Sequence, residues 1–395
     1  IAVTPGYLER EWEEDGRRYF HYKMDEPIWP FVSFLSADYE MKSDKWNDVD
    51  LEVYYKHEQN VDRMLEASKK SLDYFTANFS PYQYRQYRIF EFPRQRGAFA
   101  QSFPNTIPFS EAIGFVADIR DPEAIDYVFY VTAHEFAHQW WGHQVVGANV
   151  QGAAVLTETL AQYSALMVME KEYGAAYMQR FLKYELDNYL NSRGAEVLEE
   201  LPLMLVENQG YIHYRKGSLV LYALKDYLGE DTVNLILREF IADWGFKGPP
   251  YPTTRHLLAK IRENAPQEYQ DIITDLFEKI VLYDLRAEDS HYTELTDGRF
   301  EVTINTAASK FEADGQGEET EVAMNALIDI AVLGEEDEET KVPEILHIEK
   351  RRVDSENQTF VFVVDSRPVS VGIDPLHKLI DRNPGDNTAR IEVLN

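Results

Sequence analysis

The sequence predicts an α+β protein: a short β segment, then a mainly helical domain, then a small all-β sandwich. Three observations carry this. Prolines and aromatics crowd the first 55 residues, apolar residues recur at three- and four-residue steps from His57 to about 290, and short alternating apolar runs follow His291. The expected divisions are an N-terminal β segment at 1–55, a helical domain at 56–290 and a β-sandwich at 291–395.

The first segment holds Tyr19-Phe20-His21-Tyr22 and Pro27-Ile28-Trp29-Pro30, which favour short strands and turns. Val61, Met64, Leu65, Ser68, Leu72 and Phe75 then fall on one helical face, and the helix ends before Ser80-Pro81. Tyr87 to Pro93 alternates as a strand, followed by loops to about Pro122. Helical spacing begins near Ala124, Thr157, Tyr177, Lys216, Thr232, Thr254 and Pro266. The closing region offers the β-type runs Phe300–Ile304, Leu327–Ile330, Ile345–Ile348 and Phe360–Val363. The acidic run Glu335 to Glu339 reads as a solvated hairpin loop.

Composition narrows the function. With 69 acids against 39 bases the formal net charge is −30, which argues against nucleic-acid backbones and anionic membrane surfaces as partners. Residues 291–395 carry −13 of that charge, so the acidity is densest away from the helical domain. No cysteine is present, which excludes thiolate ligands and thiol nucleophiles. No apolar run approaches the length of a spanning helix, and no signal peptide opens the chain. The chain starts at Ile1, so an excised piece of something longer is expected.

One motif carries chemistry. His134-Glu135-Phe136-Ala137-His138 is H-E-x-x-H within a stretch that is apolar nearly all round, the mark of a buried helix. Residues four apart project side by side, so both imidazoles can reach one cation, with Glu135 close enough to reach a metal-bound water. A hydrolytic zinc needs three protein ligands, and Glu158 is the candidate third, at the start of a helix that Thr157 could cap. Trp140 and Trp141 read as core, and His143 as a nearby or surface histidine rather than a ligand.

In this order of motifs the sequence resembles the aminopeptidase N family of zinc metallopeptidases, gluzincins with a thermolysin-like catalytic domain. The family's H-E-x-x-H-Q-W-x-G is matched by His134 through Gln139, Trp140, Trp141 and Gly142. Its L-N-E-G-x-A resembles Leu156-Thr157-Glu158-Thr159-Leu160-Ala161, and its Y-x-K-G resembles Tyr214-Arg215-Lys216-Gly217. Val371-Gly372-Ile373-Asp374-Pro375 is similar to the close of the family's small β-sandwich. Two departures stand out. The spacer from Gln139 to Thr157 is one residue longer than the family's, which suggests an insertion around Gly147 to Gly152. The G-x-M-E-N substrate strand is replaced by Gly97-Ala98-Phe99-Ala100-Gln101-Ser102-Phe103, with no glutamate to grip a free amine.

The resemblance implies one zinc ion on His134, His138 and Glu158, with Glu135 as general base and Tyr214 as oxyanion donor. It also implies peptide substrates, met by Gln101, Ser102 and Arg215. An ion pair to one of the many acids is the stronger expectation for Arg215. The expected activity is that of an aminopeptidase-like zinc peptidase, with an endopeptidase or N-blocked-peptide hydrolase as the alternative. A zinc-containing sensing module of a membrane transporter is the other, since the likeness is to bacterial peptidase domains joined to permeases. That likeness also suggests a membrane-embedded portion of a longer parent chain as partner.

Overall fold

The computed structural model of the chain describes residues 1–121, 124–338 and 341–394. Eight α-helices lie among them: α1 (Val61–Asn78), α2 (Tyr127–Ala137), α3 (Leu160–Tyr173), α4 (Met178–Ala195), α5 (Gly217–Leu228), α6 (Glu230–Trp244), α7 (Thr254–Asn264) and α8 (Gln270–Phe277). Each starts within a few residues of the point where helical spacing begins in the sequence. Packing gathers the chain into two units, one of Ile1–Met169 with Asp231–Lys260, the other of Glu170–Glu230 with Ile261–Asn395.

In the first unit, β1 (Ala2–Val3) pairs with β4 (Leu35–Ser36), and β2 (Tyr7–Glu14) forms a hairpin with β3 (Arg17–Lys23). Asp15 and Gly16 turn that hairpin with φ of 52° and 70°, the left-handed pair that a tight two-residue turn requires. The main sheet has the order β5-β6-β7-β8, from β5 (Glu40–Trp46), β6 (Val49–Tyr55), β7 (Gln86–Phe92) and β8 (Thr106–Ser110). Strands β6, β7 and β8 run parallel, and α1 is the crossover between the first two. Residues 40–55 therefore belong to the same sheet as β7 and β8, so packing joins what the composition divides at 55. Just before β8 the chain runs as an antiparallel ribbon against it, with bridges from Ala100 to Phe109 and from Phe103 to Thr106. Helix α2 lies against α1, and Val128 to Ala137 are all buried, as an apolar surface on every side demands.

In the second unit, β9 (Ile280–Ala287) already pairs with β11 (Phe300–Ala313), so the β region opens at Ile280 and not at His291. Strand β11 also pairs β10 (His291–Glu294), β12 (Glu319–Val322) and β15 (Asn357–Val364). The facing sheet has the order β14-β13-β16-β17, from β13 (Ala326–Glu336), β14 (Pro343–Val353), β16 (Ser370–Ile373) and β17 (Thr388–Arg390); β18 (Glu392–Val393) borders β10. Val302, Ile304, Ile328, Ile330, Phe360, Phe362, Val371 and Ile373 fill the space between. Alternation is clean in β15, where Phe360, Phe362 and Val364 are buried while Val361 and Val363 face out. The acidic run ends β13: Glu335, Glu336, Asp337 and Glu338 are exposed, and Glu339 lies outside the described residues. Asp374 closes β16 by accepting the backbone N–H groups of Lys378 (3.1 Å) and Leu379 (2.8 Å). No helix among the described residues is long and apolar enough to cross a membrane.

Candidate active site

Helix α2 carries two of the candidate metal-binding residues. Its N-cap Asp126 accepts from the Phe129 N–H at 2.9 Å, and its last turn presents His134 and His138 on one face. Their Nε2 atoms stand 3.1 Å apart. His138 Nδ1 lies 3.0 Å from the Trp141 carbonyl oxygen, which can only accept. Nδ1 therefore bears a proton, and Nε2 points towards His134.

Glu158 meets them from a different element. It sits in a single π-helical turn, Val155–Thr159, which runs directly into α3. Its Oε2 is 3.3 Å from Nε2 of His134 and 3.3 Å from Nε2 of His138. Thr157 is not the expected cap. The backbone is already helical at Ala154, and the Thr157 hydroxyl points back to the Ala154 carbonyl at 3.5 Å.

The three donor atoms form a triangle with edges of 3.1, 3.3 and 3.3 Å. Ligands about 2.05 Å from a tetrahedral ion stand about 3.3 Å apart, so the triangle is the size a zinc ion requires. Glu158 Oε2 is buried and makes no well-formed hydrogen bond, a costly arrangement unless a cation satisfies it. Charges agree with this. Burial opposes ionisation of Glu158, yet the two imidazoles hold its carboxyl well below the usual range. Burial likewise opposes protonation of His138, but Glu158 outweighs it and pushes the imidazole up to about 9. The pocket attracts positive charge.

Glu135 is buried one position along the helix from His134. Burial raises its pKa, against the pull of His138 and His134, so it is a better base than an exposed glutamate.

The ribbon outside β8 is clamped to α2. Ser102 is buried, its hydroxyl donating to the Glu135 carbonyl at 2.8 Å and accepting from Gln139 Nε2 at 2.6 Å. Both of its roles are taken by the protein, so the substrate contact expected of Ser102 gives way to a framework one. Gln139, fully buried, also donates to the Phe103 carbonyl (3.1 Å) and accepts from the Asn105 N–H (2.9 Å). His143 Nε2 lies 3.1 Å from the Ser102 carbonyl, and burial keeps the ring neutral, its pKa lowered to about 4. Gln101, next to Ser102, is exposed. Trp140 and Trp141 are fully buried, and Trp141 Nε1 donates to Ser164 Oγ on α3 at 2.8 Å. The clamp of Gln139 and His143 is invisible in sequence. Both residues come after the metal motif, but only the fold shows which strand they hold.

Tyr214 and Arg215 lie in the second unit, on another π turn, Tyr211–Lys216. Ser218 Oγ donates to the Tyr214 carbonyl at 2.7 Å. Arg215 Nη1 is 2.8 Å from Oε1 of the buried Glu185, the ion pair that was the stronger expectation for it. Lys216 is buried 3.2 Å from Glu200, which also receives the Tyr189 hydroxyl and Arg193.

Two helical imidazoles and a glutamate from a neighbouring turn form a candidate His₂–Glu metal site, with the buried Glu135 between the histidines in sequence. Residues 63–278 match the peptidase family M1 domain, and the chain belongs to that family. It is 26% identical over 176 residues to probable aminopeptidase 1 of Sulfurisphaera tokodaii, covering 42% of this chain and 22% of that protein. It is 27% identical over 127 residues to human endoplasmic reticulum aminopeptidase 2, covering 31% of this chain and 13% of that protein. All of the chain superposes on 43% of Legionella pneumophila aminopeptidase A, solved in complex with aspartic acid, with a TM-score of 0.61 and 15% identity. That last likeness shows the fold. The matches span under a quarter of the length of the curated relatives and under half of that solved chain.

Proposed function

We propose that the chain hydrolyses peptide bonds as a zinc-dependent, aminopeptidase-like enzyme with a thermolysin-like catalytic domain. The observation that carries this is the donor triangle of His134, His138 and Glu158 with Glu135 buried beside it. Zinc held by those three residues supplies Lewis acidity, which acidifies water and polarises a carbonyl. Glu135 takes the proton of the attacking water and returns it to the leaving amine; its raised pKa suits both halves of that transfer. The Tyr214 hydroxyl donates to the carbonyl oxygen as negative charge develops there, a role that rests on the Y-x-K-G motif. The Ala100–Phe103 ribbon offers backbone groups for a substrate to add as a strand, with the exposed Gln101 available for a neutral hydrogen bond.

One observation favours a second reading, cleavage of peptides without a free amine. Ala100, Gln101 and Ser102 supply no carboxylate for an ammonium group. The test is zinc content, then hydrolysis of free-amine and N-blocked peptides by the wild type and Glu135→Gln. Zinc-loaded protein with no Glu135-dependent turnover on any peptide refutes the enzyme. Turnover of blocked peptides alone selects the second reading.

A further inference from the structure

We propose that His57, Glu91 and Glu111 form a second divalent-cation site, separate from His134, His138 and Glu158. The three residues come from one end of the sheet. His57 lies two residues beyond β6, Glu91 is the penultimate residue of β7 and Glu111 comes directly after β8, and these three strands run parallel in adjacent positions. Their carboxyl ends therefore gather the three side chains at the edge where open parallel sheets bind ligands.

The donor atoms lie within 4.8 Å of one another. His57 Nδ1 is 2.5 Å from Glu91 Oε1 and 3.9 Å from Glu111 Oε2. Around an octahedral ion at about 2.1 Å, neighbouring donors stand about 3 Å apart and opposite ones about 4.2 Å, so both His57 distances lie within about half an ångström of that geometry. Glu91 is held for this purpose. Its side chain is 4% exposed, and its Oε2 accepts from the backbone N–H groups of Lys56 (2.6 Å) and His57 (2.9 Å). That leaves Oε1 facing the imidazole. Glu111 turns Oε1 towards Arg94 Nε at 3.1 Å, leaving Oε2 towards His57.

Two carboxylates thus converge on one imidazole in a place where one of them is almost dry, and the Arg94 guanidinium reaches only the far oxygen of Glu111. The half-exposed His57 provides a path in. One imidazole with two carboxylates suits Zn²⁺ or Mn²⁺. The competing arrangement is the direct hydrogen bond between His57 Nδ1 and Glu91 Oε1 with no ion between them.

Equilibrium dialysis of the full chain against zinc, with metal counted by emission spectroscopy, distinguishes the two. The site predicts two zinc ions per wild-type chain, one in a His134→Ala/His138→Ala variant and one in a His57→Gln/Glu111→Gln variant. Manganese should give a bound electron-resonance signal in the first variant that the added His57→Gln change abolishes. One zinc in the wild type and none in His134→Ala/His138→Ala overturns the proposal, and the direct hydrogen bond then stands. The His134→Ala/His138→Ala count decides alone should the His57 variants fail to fold. It does so whether or not the chain is a peptidase, since no turnover is measured.

Discussion

Replacing Gln139 by Met should weaken the first unit while leaving the metal donors intact. The two side chains are similar in length, so no large cavity opens. What is lost is hydrogen bonding: Gln139 Nε2 no longer donates to Ser102 and Phe103, and Oε1 no longer accepts from Asn105. The consequences are unequal. Phe103 keeps the N–H of Thr106 at 3.1 Å, and Ser102 still donates to Glu135. Asn105, with no exposed surface, loses the partner of its N–H outright. One buried orphan costs about 1–3 kcal/mol and each of the two other lost bonds about 1, so a loss of about 3–5 kcal/mol is expected.

The readout is favourable. Trp12, Trp29, Trp46, Trp140, Trp141 and Trp244 all fall within the first unit, so tryptophan fluorescence in a urea titration reports on that unit alone. The midpoint should fall at unchanged slope. Zinc content should be unchanged, because no ligand touches the Gln139 side chain, whereas kcat/KM should drop as the ribbon drifts from α2. A loss under about 0.5 kcal/mol would mean that the clamp is not what holds the ribbon, and the reasoning fails.

Other substitutions separate metal, base and framework. Glu135→Gln should keep its zinc and lose about 10²–10⁴-fold in turnover, checked by metal counting beside a peptide assay. Glu158→Ala should bind zinc far more weakly in a competition titration with a chelator, since it removes one edge-sharing donor of the triangle. Gly315→Ala places a Cβ 2.2 Å from the Glu200 carbonyl oxygen at φ +84°, so circular-dichroism melting should show a loss of about 2 kcal/mol or more. Glu185 gives the pH prediction. Burial pushes its pKa up to about 7 against the pull of Arg215, so the folded state holds a proton that the unfolded chain releases near the ordinary carboxylate value. The stability this contributes is complete below that ordinary value and is lost as pH rises through about 7. Urea midpoints measured from pH 5 to 8 should fall less steeply in Glu185→Gln than in the wild type.

Much of the helical framework and of the candidate metal site was legible in the sequence, because both depend on periodicity. Val61 to Phe75 and Val128 to Ala137 mark α1 and α2 through their burial, and the four-residue step from His134 to His138 needs nothing beyond helix geometry. The boundaries were not legible, and for one reason. Strands β5, β6 and β9 resemble their neighbours in composition and belong elsewhere by hydrogen bonding, through long-range register that no local pattern records. Ser102 failed differently. A small polar residue opposite a family's substrate strand looks available, and only the positions of Glu135 and Gln139 reveal that its hydroxyl is spent.

Glu158 shows how motif and geometry can disagree in detail and agree in outcome. Helical spacing after Thr157 suggested an ordinary N-terminus, with the extra residue of the spacer absorbed in the loop at Gly147 to Gly152. The chain makes a π turn at Val155–Thr159, around Glu158 itself. A π turn takes up one more residue than an α turn, so a helix can absorb a single-residue insertion there and keep its later turns in place. Leu160 to Met169 stay buried in step as α3, while Glu158 is carried to the two imidazoles at equal distances. Tyr214 also rides on a π turn, Tyr211–Lys216, ahead of the regular and buried α5. A wider turn disturbs backbone hydrogen bonding and is stable only where its surroundings fix it, here by the buried residues on either side. The 3.6-residue period that makes the helices readable is what hides these two turns. At both of them the irregularity coincides with the residue on which the proposed chemistry depends.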